Sequence, residues 1–265
     1  MMLSFLTSFL AIAVAFLVPA FIGLALVAAA ARVAKPAYLA AFAIGIYFWF
    51  FTDTIGDAAN LDVSAGFSGG LYQLTIFALF AIGVLLVFSL DRDAFTSGAE
   101  TAKVGFVVPV LVAFAVGFHG LGEGAAFGAT AASTSGQNLL DAFGGSATAA
   151  AFVLHKTLEP MMVGAAYWVY ARDHPKGASG LVNDMVLLTL VFSIPGLFGA
   201  ATDYFLNYDT TFAFAFGLGT SIYAAVRLAK PLFSATPQPQ WESLRIAFLI
   251  LVGFTCIYVA ALLHS

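Results

Sequence analysis

Charge is what this sequence lacks. Only 9% of its 265 residues are Asp, Glu, Lys or Arg, and 62% are hydrophobic. Soluble domains carry roughly 25% charged residues, so too few polar side chains remain to coat the outside of a water-soluble helical protein. The composition points to an integral membrane protein, with the lipid bilayer as its solvent. A single cysteine, Cys256, excludes a disulfide framework and any metal site built from several thiolates. No run of Lys and Arg offers a surface for phosphates, so nucleic acid is not an expected partner. The net charge of -4 decides nothing, because in a membrane protein the placement of charge matters more than its sum. The first charged residue is Arg32, so the N-terminal stretch lacks the basic region of a cleaved signal peptide and is expected to be a retained helix. No connection has room for a soluble domain, and residues 1–265 read as a single transmembrane domain.

What the chain does have is long apolar segments. A spanning helix needs about 20 apolar residues. Eight segments qualify, at about 4–31, 36–56, 69–90, 104–130, 147–171, 181–202, 209–229 and 241–263. The fold class predicted is an all-α integral membrane protein with eight transmembrane helices. Lys and Arg concentrate in cytoplasmic loops. Here Arg32 and Lys35 lie between helices 1 and 2, Arg92 and Lys103 between 3 and 4, Arg172 and Lys176 between 5 and 6, and Arg227, Lys230 and Arg245 around the connection between 7 and 8. Nine of the ten basic residues thus fall on alternating loops, while Asp53, Asp57, Asp62, Asp141, Asp203 and Asp209 mark the other face. An even helix count with both termini outside, most simply in a cell membrane, accounts for all nine.

A faint repeat runs through the chain. Helix 1 carries Phe16-Leu-Val-Pro19-Ala-Phe-Ile-Gly23, and helix 6 carries Phe192-Ser-Ile-Pro195-Gly-Leu-Phe-Gly199. Helices 1 and 6 cross in opposite senses, so the relation would be an inverted one. Inverted repeats are a transporter feature, with the substrate held near the midplane at the repeat interface. The layout would then be three helices, a central pair, and three more.

The central pair carries the chemistry. Helix 4 contains His119-Gly-Leu-Gly-Glu123-Gly, and helix 5 contains His155-Lys-Thr-Leu-Glu159-Pro. Each histidine stands four residues before a glutamate, which places both on one helix face. At about 1.5 Å per residue, Glu159 lies roughly 18 Å below the start of helix 5, near the middle of a core about 30 Å thick. Ionisable groups at that depth are costly and usually face a bundle interior or an aqueous path. In antiparallel helices Glu123 falls level with His155, and His119 with Glu159. Two imidazoles and two carboxylates suit a divalent transition metal. Lys156 is the tenth basic residue and the one lysine within a helix. Asp53 and Asp57, spaced i,i+4 at the outer end of helix 2, are candidates for a cation entrance, although solvated helix-end carboxylates read the same way.

Eight helices, both termini outside, an H-x-x-x-E-G motif in helix 4 and an H-x-x-x-E motif in helix 5 resemble the Zrt-, Irt-like protein (ZIP) metal transporters. That resemblance implies a 3+2+3 arrangement with inverted repeats and a transport site made by the helix 4 and 5 motifs. By motif it assigns metal-ligand roles to His119, Glu123, His155 and Glu159. It implies transport of a zinc-, iron- or manganese-type cation into the cytoplasm, no resident cofactor, no enzymatic step, and a homodimer as a candidate assembly. Several positions depart from the family pattern. Gly120 replaces the usual polar residue after the first histidine. Gly122 and Leu158 stand where proline usually precedes the glutamate, with Pro160 following instead. Residues 91–103 contain no histidine. Lys156 occupies a position that in some members is an acidic ligand for a second metal.

Two other functions fit parts of the chain. A retinal-binding photoreceptor or pump would use Lys156 for the chromophore and Glu159 as counter-ion; visible absorbance after adding retinal separates it from a metal carrier. An intramembrane metalloenzyme would need a base beside its metal, yet no His-Glu-x-x-His motif is present.

Overall fold

The computed structural model describes residues 4–61, 69–91, 105–133, 138–233 and 239–262, with the backbone only at 57, 172 and 173. Asp62, Arg92, Lys103 and the side chain of Asp57 therefore lie outside the described residues. Those that are described form helices, and no strand occurs among them.

The first helix, α1 (Phe5–Ala30), starts where the Ser4 hydroxyl accepts the Thr7 N–H at 3.1 Å. After a short turn, Pro36 opens α2 (Pro36–Asp53), which ends in a π-helical turn at Thr54–Ala58. Proline suits the first position of a helix because its missing N–H would have no intrahelical partner there. Then come α3 (Gly70–Leu90), α4 (Val107–Gly117) and α5 (His119–Ser133). A 3₁₀ turn at Leu139–Phe143 leads into α6 (Ser146–Leu158) and α7 (Pro160–Asp173). The chain closes with α8 (Ala178–Leu206), α9 (Thr210–Ala229) and α10 (Gln240–Ala261).

Seven of these helices, counting α4 and α5 as one, are long and apolar enough to cross a membrane. The segment expected to be the fifth span is divided into α6 and α7, each half too short to cross alone. The cause is Pro160. Its nitrogen cannot donate to the carbonyl of Lys156, so the ladder breaks at Glu159. Glu159 itself keeps helical dihedrals, φ -59° and ψ -44°, so the two halves follow on without reversal. The fourth segment has a milder joint at Phe118, where the Leu121 N–H bonds back three residues to the Phe118 carbonyl at 3.1 Å. Each was expected as one spanning segment, with the helix 4 glycines and Pro160 as the places for irregular backbone. Both are interrupted next to the glutamate-bearing motif.

Packing is organised in pairs: α2 lies on α10, α3 on α9, and α1 and α5 on α8, while α4 sits between α7, α8 and α9. Glycines set the close approaches. A Cβ placed on Gly45 would land on the Ile250 carbonyl, and one on Gly253 would land on the Phe42 carbonyl. The α3–α9 pair repeats this arrangement: Gly83 meets the Phe216 carbonyl, and Gly219 meets the Phe80 carbonyl. Backbones that touch this way pack without bulky side chains between them, as membrane helices tend to do.

The outer surface is apolar. Along α1, Leu6, Leu10, Val14, Val18 and Ile22 are exposed at every fourth residue; along α8, Val182, Val186, Leu190, Ile194 and Phe198 are exposed at the same spacing. Continuous apolar stripes of this length are foreign to water-soluble surfaces and suit contact with lipid. The few charges cluster near helix ends. Lys35 donates to Glu242 at 2.9 Å, joined there by the Tyr38 hydroxyl at 2.8 Å. Lys176 grips Asp184 at 2.7 Å, which also accepts from Tyr167 at 2.8 Å. Arg227 and Tyr223 both bond to Asp91, tying α9 to the end of α3. The hydrogen bond to Glu242 holds the Lys35 ammonium above its ordinary pKa, and the bond to Asp184 does the same for Lys176.

Candidate metal centre

His119 opens α5, Glu123 follows one turn later, and Glu159 fills the break between α6 and α7. One donor atom from each of these three lies within 4.8 Å of the others. His119 Nε2 stands 3.6 Å from Glu123 Oε1. The Nδ1 atom of His119 is buried without a hydrogen-bond partner among the described residues. A buried polar atom of that kind is unusual and calls for an explanation. An imidazole beside two carboxylates, in the middle of an apolar bundle, is a donor set that zinc-like ions accept.

The group sits deep. The side chain of Glu159 is 3% exposed and that of His119 8%, while that of Glu123 is 18% exposed and forms the accessible edge. Aromatic rings fix the imidazole: Phe50 meets His119 edge-on at 4.4 Å between centroids, and Phe214 lies at 5.3 Å. Glycine makes the crowding tolerable. A Cβ on Gly122 would enter the Phe214 ring, one on Gly120 would press the Phe16 ring at 3.0 Å, and one on Gly124 would strike the Gly196 carbonyl. The glycines of His119-Gly-Leu-Gly-Glu123-Gly therefore let α5 approach the Phe16 ring of α1, the backbone of α8 and the Phe214 ring of α9.

Lys156 is drawn into the same cluster. Its side chain is fully buried, and its Nζ donates to Glu159 Oε2 at 2.6 Å. The same atom contacts Glu123 Oε2, so one ammonium bridges carboxylates from two helices. The rings of Phe16, Phe192 and Phe152 surround it at 5.3, 5.7 and 5.8 Å. The lysine does not reach for an interface.

The four ligands anticipated from sequence are thus not all gathered. His119, Glu123 and Glu159 converge. His155 is buried, and its ring lies 5.5 Å from that of Trp49, tilted by 32°; it is not among the converging donors. Of the two entrance candidates, Asp53 is exposed at the end of α2 and outside the donor group. The side chain of Asp57 is not described.

Sequence reasoning missed the aromatic cradle of Phe16, Phe152 and Phe192 around Lys156. A signal for two of its three members was present. Phe16 and Phe192 open the two copies of the repeated Phe-x-x-Pro stretch, and both rings come to face the same ammonium.

Fold and site together define an all-helical, membrane-type protein with a candidate metal-binding group of one histidine and two glutamates. No family model, no curated protein and no solved structure matches this chain.

Proposed function

We propose that this chain is a transmembrane carrier for a divalent transition-metal cation, built on a 3+2+3 plan with inverted repeats. The single observation that carries the reading is the convergence of His119, Glu123 and Glu159 in the interior of a helical bundle whose outside is lipid-like. Buried ionisable groups in such a setting mark substrate paths more often than they stabilise.

The contacts support the inverted plan beyond the Phe-x-x-Pro recurrence. The α2–α10 and α3–α9 pairs exchange under it, and so do their glycine contacts. Gly23 of α1 abuts the Thr157 carbonyl, midway between His155 and Glu159. Gly199 of α8 abuts the Leu121 carbonyl, midway between His119 and Glu123. The exposed stripes of α1 and α8 also superimpose position for position on the alignment that matches Phe16 with Phe192. A pseudo-two-fold axis in the membrane plane explains all of these at once, and it would pass through the His/Glu seam. Transporters with that symmetry hold substrate there. The resemblance of both motifs to those of the ZIP transporters points the same way, with movement toward the cytoplasm.

Purified protein in liposomes should take up at least one ion from a panel of zinc, iron(II), manganese and cobalt, with saturation, and should not carry calcium, whose preference is for all-oxygen sites. Absence of saturable uptake for every ion would remove the proposal.

Orientation follows from the basic loops. With Cys256 replaced by serine, a cysteine at Phe205 should react with an impermeant reagent added outside cells, and a cysteine at Gly98 should not. The opposite labelling would reverse the direction of transport.

A further inference from the structure

We infer that Lys156 is a tethered counter-cation: its ammonium takes a metal ion's place between Glu123 and Glu159 when the substrate leaves, and so permits the unloaded carrier to return. The inference rests on the transport reading above.

Position is the first argument. The Nζ atom contacts one oxygen of each carboxylate, and those carboxylates supply two of the three converging donors. A dication between Glu123 and Glu159 and an ammonium in contact with both carboxylates repel strongly at that range, so the two compete for the site. Metal binding therefore requires the lysine to withdraw. The faces of Phe16, Phe152 and Phe192 line its surroundings, and such faces stabilise a cation that has lost its water. The flexible four-carbon stem of lysine allows a short retreat without backbone movement.

Charge is the second argument. Two carboxylates and an ammonium sum to -1, and a dication brings the cluster to +1. Without the lysine the same states would be -2 and 0. The solvation cost of a buried ion grows with the square of its charge, so a doubly charged empty site would be about four times as costly to occlude as a singly charged one. An empty carrier lacking the ammonium would be held where water reaches Glu123. It could exchange one metal for another, yet it could not easily recross.

The third argument is that only one such cation fits. Under the inverted relation, Gly120 is the counterpart of Lys156. A side chain there would press the Phe16 ring, with Cβ at 3.0 Å from the nearest ring atom. One lysine serves both halves of the cluster.

The test compares two flux modes in liposomes with zinc as the probe: net uptake into zinc-free vesicles, and exchange into vesicles preloaded with zinc. For Lys156→Met, zinc affinity by equilibrium dialysis should rise at least about tenfold, because a competing charge is gone. The ratio of net uptake to exchange should fall by at least about tenfold. Lys156→Gln should behave alike and covers the case in which Lys156→Met does not fold. Lys156→Arg should keep the native ratio of net uptake to exchange. Unchanged affinity and an unchanged flux ratio in the neutral variants would overturn the inference, as would equal loss of binding and both fluxes. Failure of the broader reading looks different: native protein that binds zinc but moves it in neither mode would end the transport proposal, while the affinity comparison would still report on Lys156.

Discussion

Replacing Glu159 with glutamine is expected to weaken zinc binding at least about 100-fold and to abolish saturable uptake, with the protein still folded. Outer-shell partners of a metal ligand already cost 10–100-fold when removed, and here a donor itself is lost. Glu123→Gln should act alike. Folding should survive either change because Lys156 bridges both carboxylates: when one is neutralised, the other still pairs the ammonium. Removing both is a different matter. Glu123→Gln with Glu159→Gln strands a fully buried ammonium, and an uncompensated buried charge costs roughly 3–5 kcal/mol. That double variant should unfold or aggregate. Adding Lys156→Met should restore a folded, metal-inert protein. Equilibrium dialysis reports the first effect, and size-exclusion behaviour with thermal melting reports the second. If both single variants bind and carry zinc normally, the donors have been misidentified.

The fold was legible in the sequence wherever one physical constraint dominated. Bilayer thickness fixes how long an apolar run must be, so the eight expected segments match the observed helices to within a few residues at most ends. The largest mismatch, at the end of α8, arises because the apolar run stops before Asp203, whereas the helix continues to Leu206 and ends where Asn207 turns left-handed and its N–H bonds the Asp203 carbonyl. The interruptions at Phe118 and Glu159 were only half legible. Pro160 announces the second, but the first has no proline to mark it. At the site, spacing alone could say that each histidine shares a face with its glutamate. It could not say that Trp49 would take the His155 ring, because that contact joins residues far apart in the chain. Nor could it choose among a snorkelling lysine, a neutral amine and a clasped ammonium. That choice belongs to the packing, where three phenylalanines close around Lys156 and leave the carboxylates as its polar partners.

The native protein should bind one divalent ion per chain at this seam, and Lys156→Asp should bind two. With one ion bound between Glu123 and Glu159, the displaced ammonium stays tethered beside the seam, and its charge disfavours a second ion there. An aspartate there exchanges one positive charge for one negative charge, and it supplies a fresh carboxylate beside Glu159. Three carboxylates and one imidazole are enough donors for two ions sharing a bridging glutamate. The same change makes folding depend on metal. Without an ion the cluster carries -3 in a buried setting, an expensive state. With an ion at about 100 times its dissociation constant, binding returns roughly 2.7 kcal/mol to the folded form. Lys156→Asp should therefore purify poorly in chelator, gain melting temperature on adding zinc by more than the native protein does, and show twice the bound zinc in equilibrium dialysis. Anomalous scattering from crystals grown with zinc would place the second ion beside residue 156. Two ions at this seam in the native protein would mean that the ammonium does not hold the place the geometry gives it.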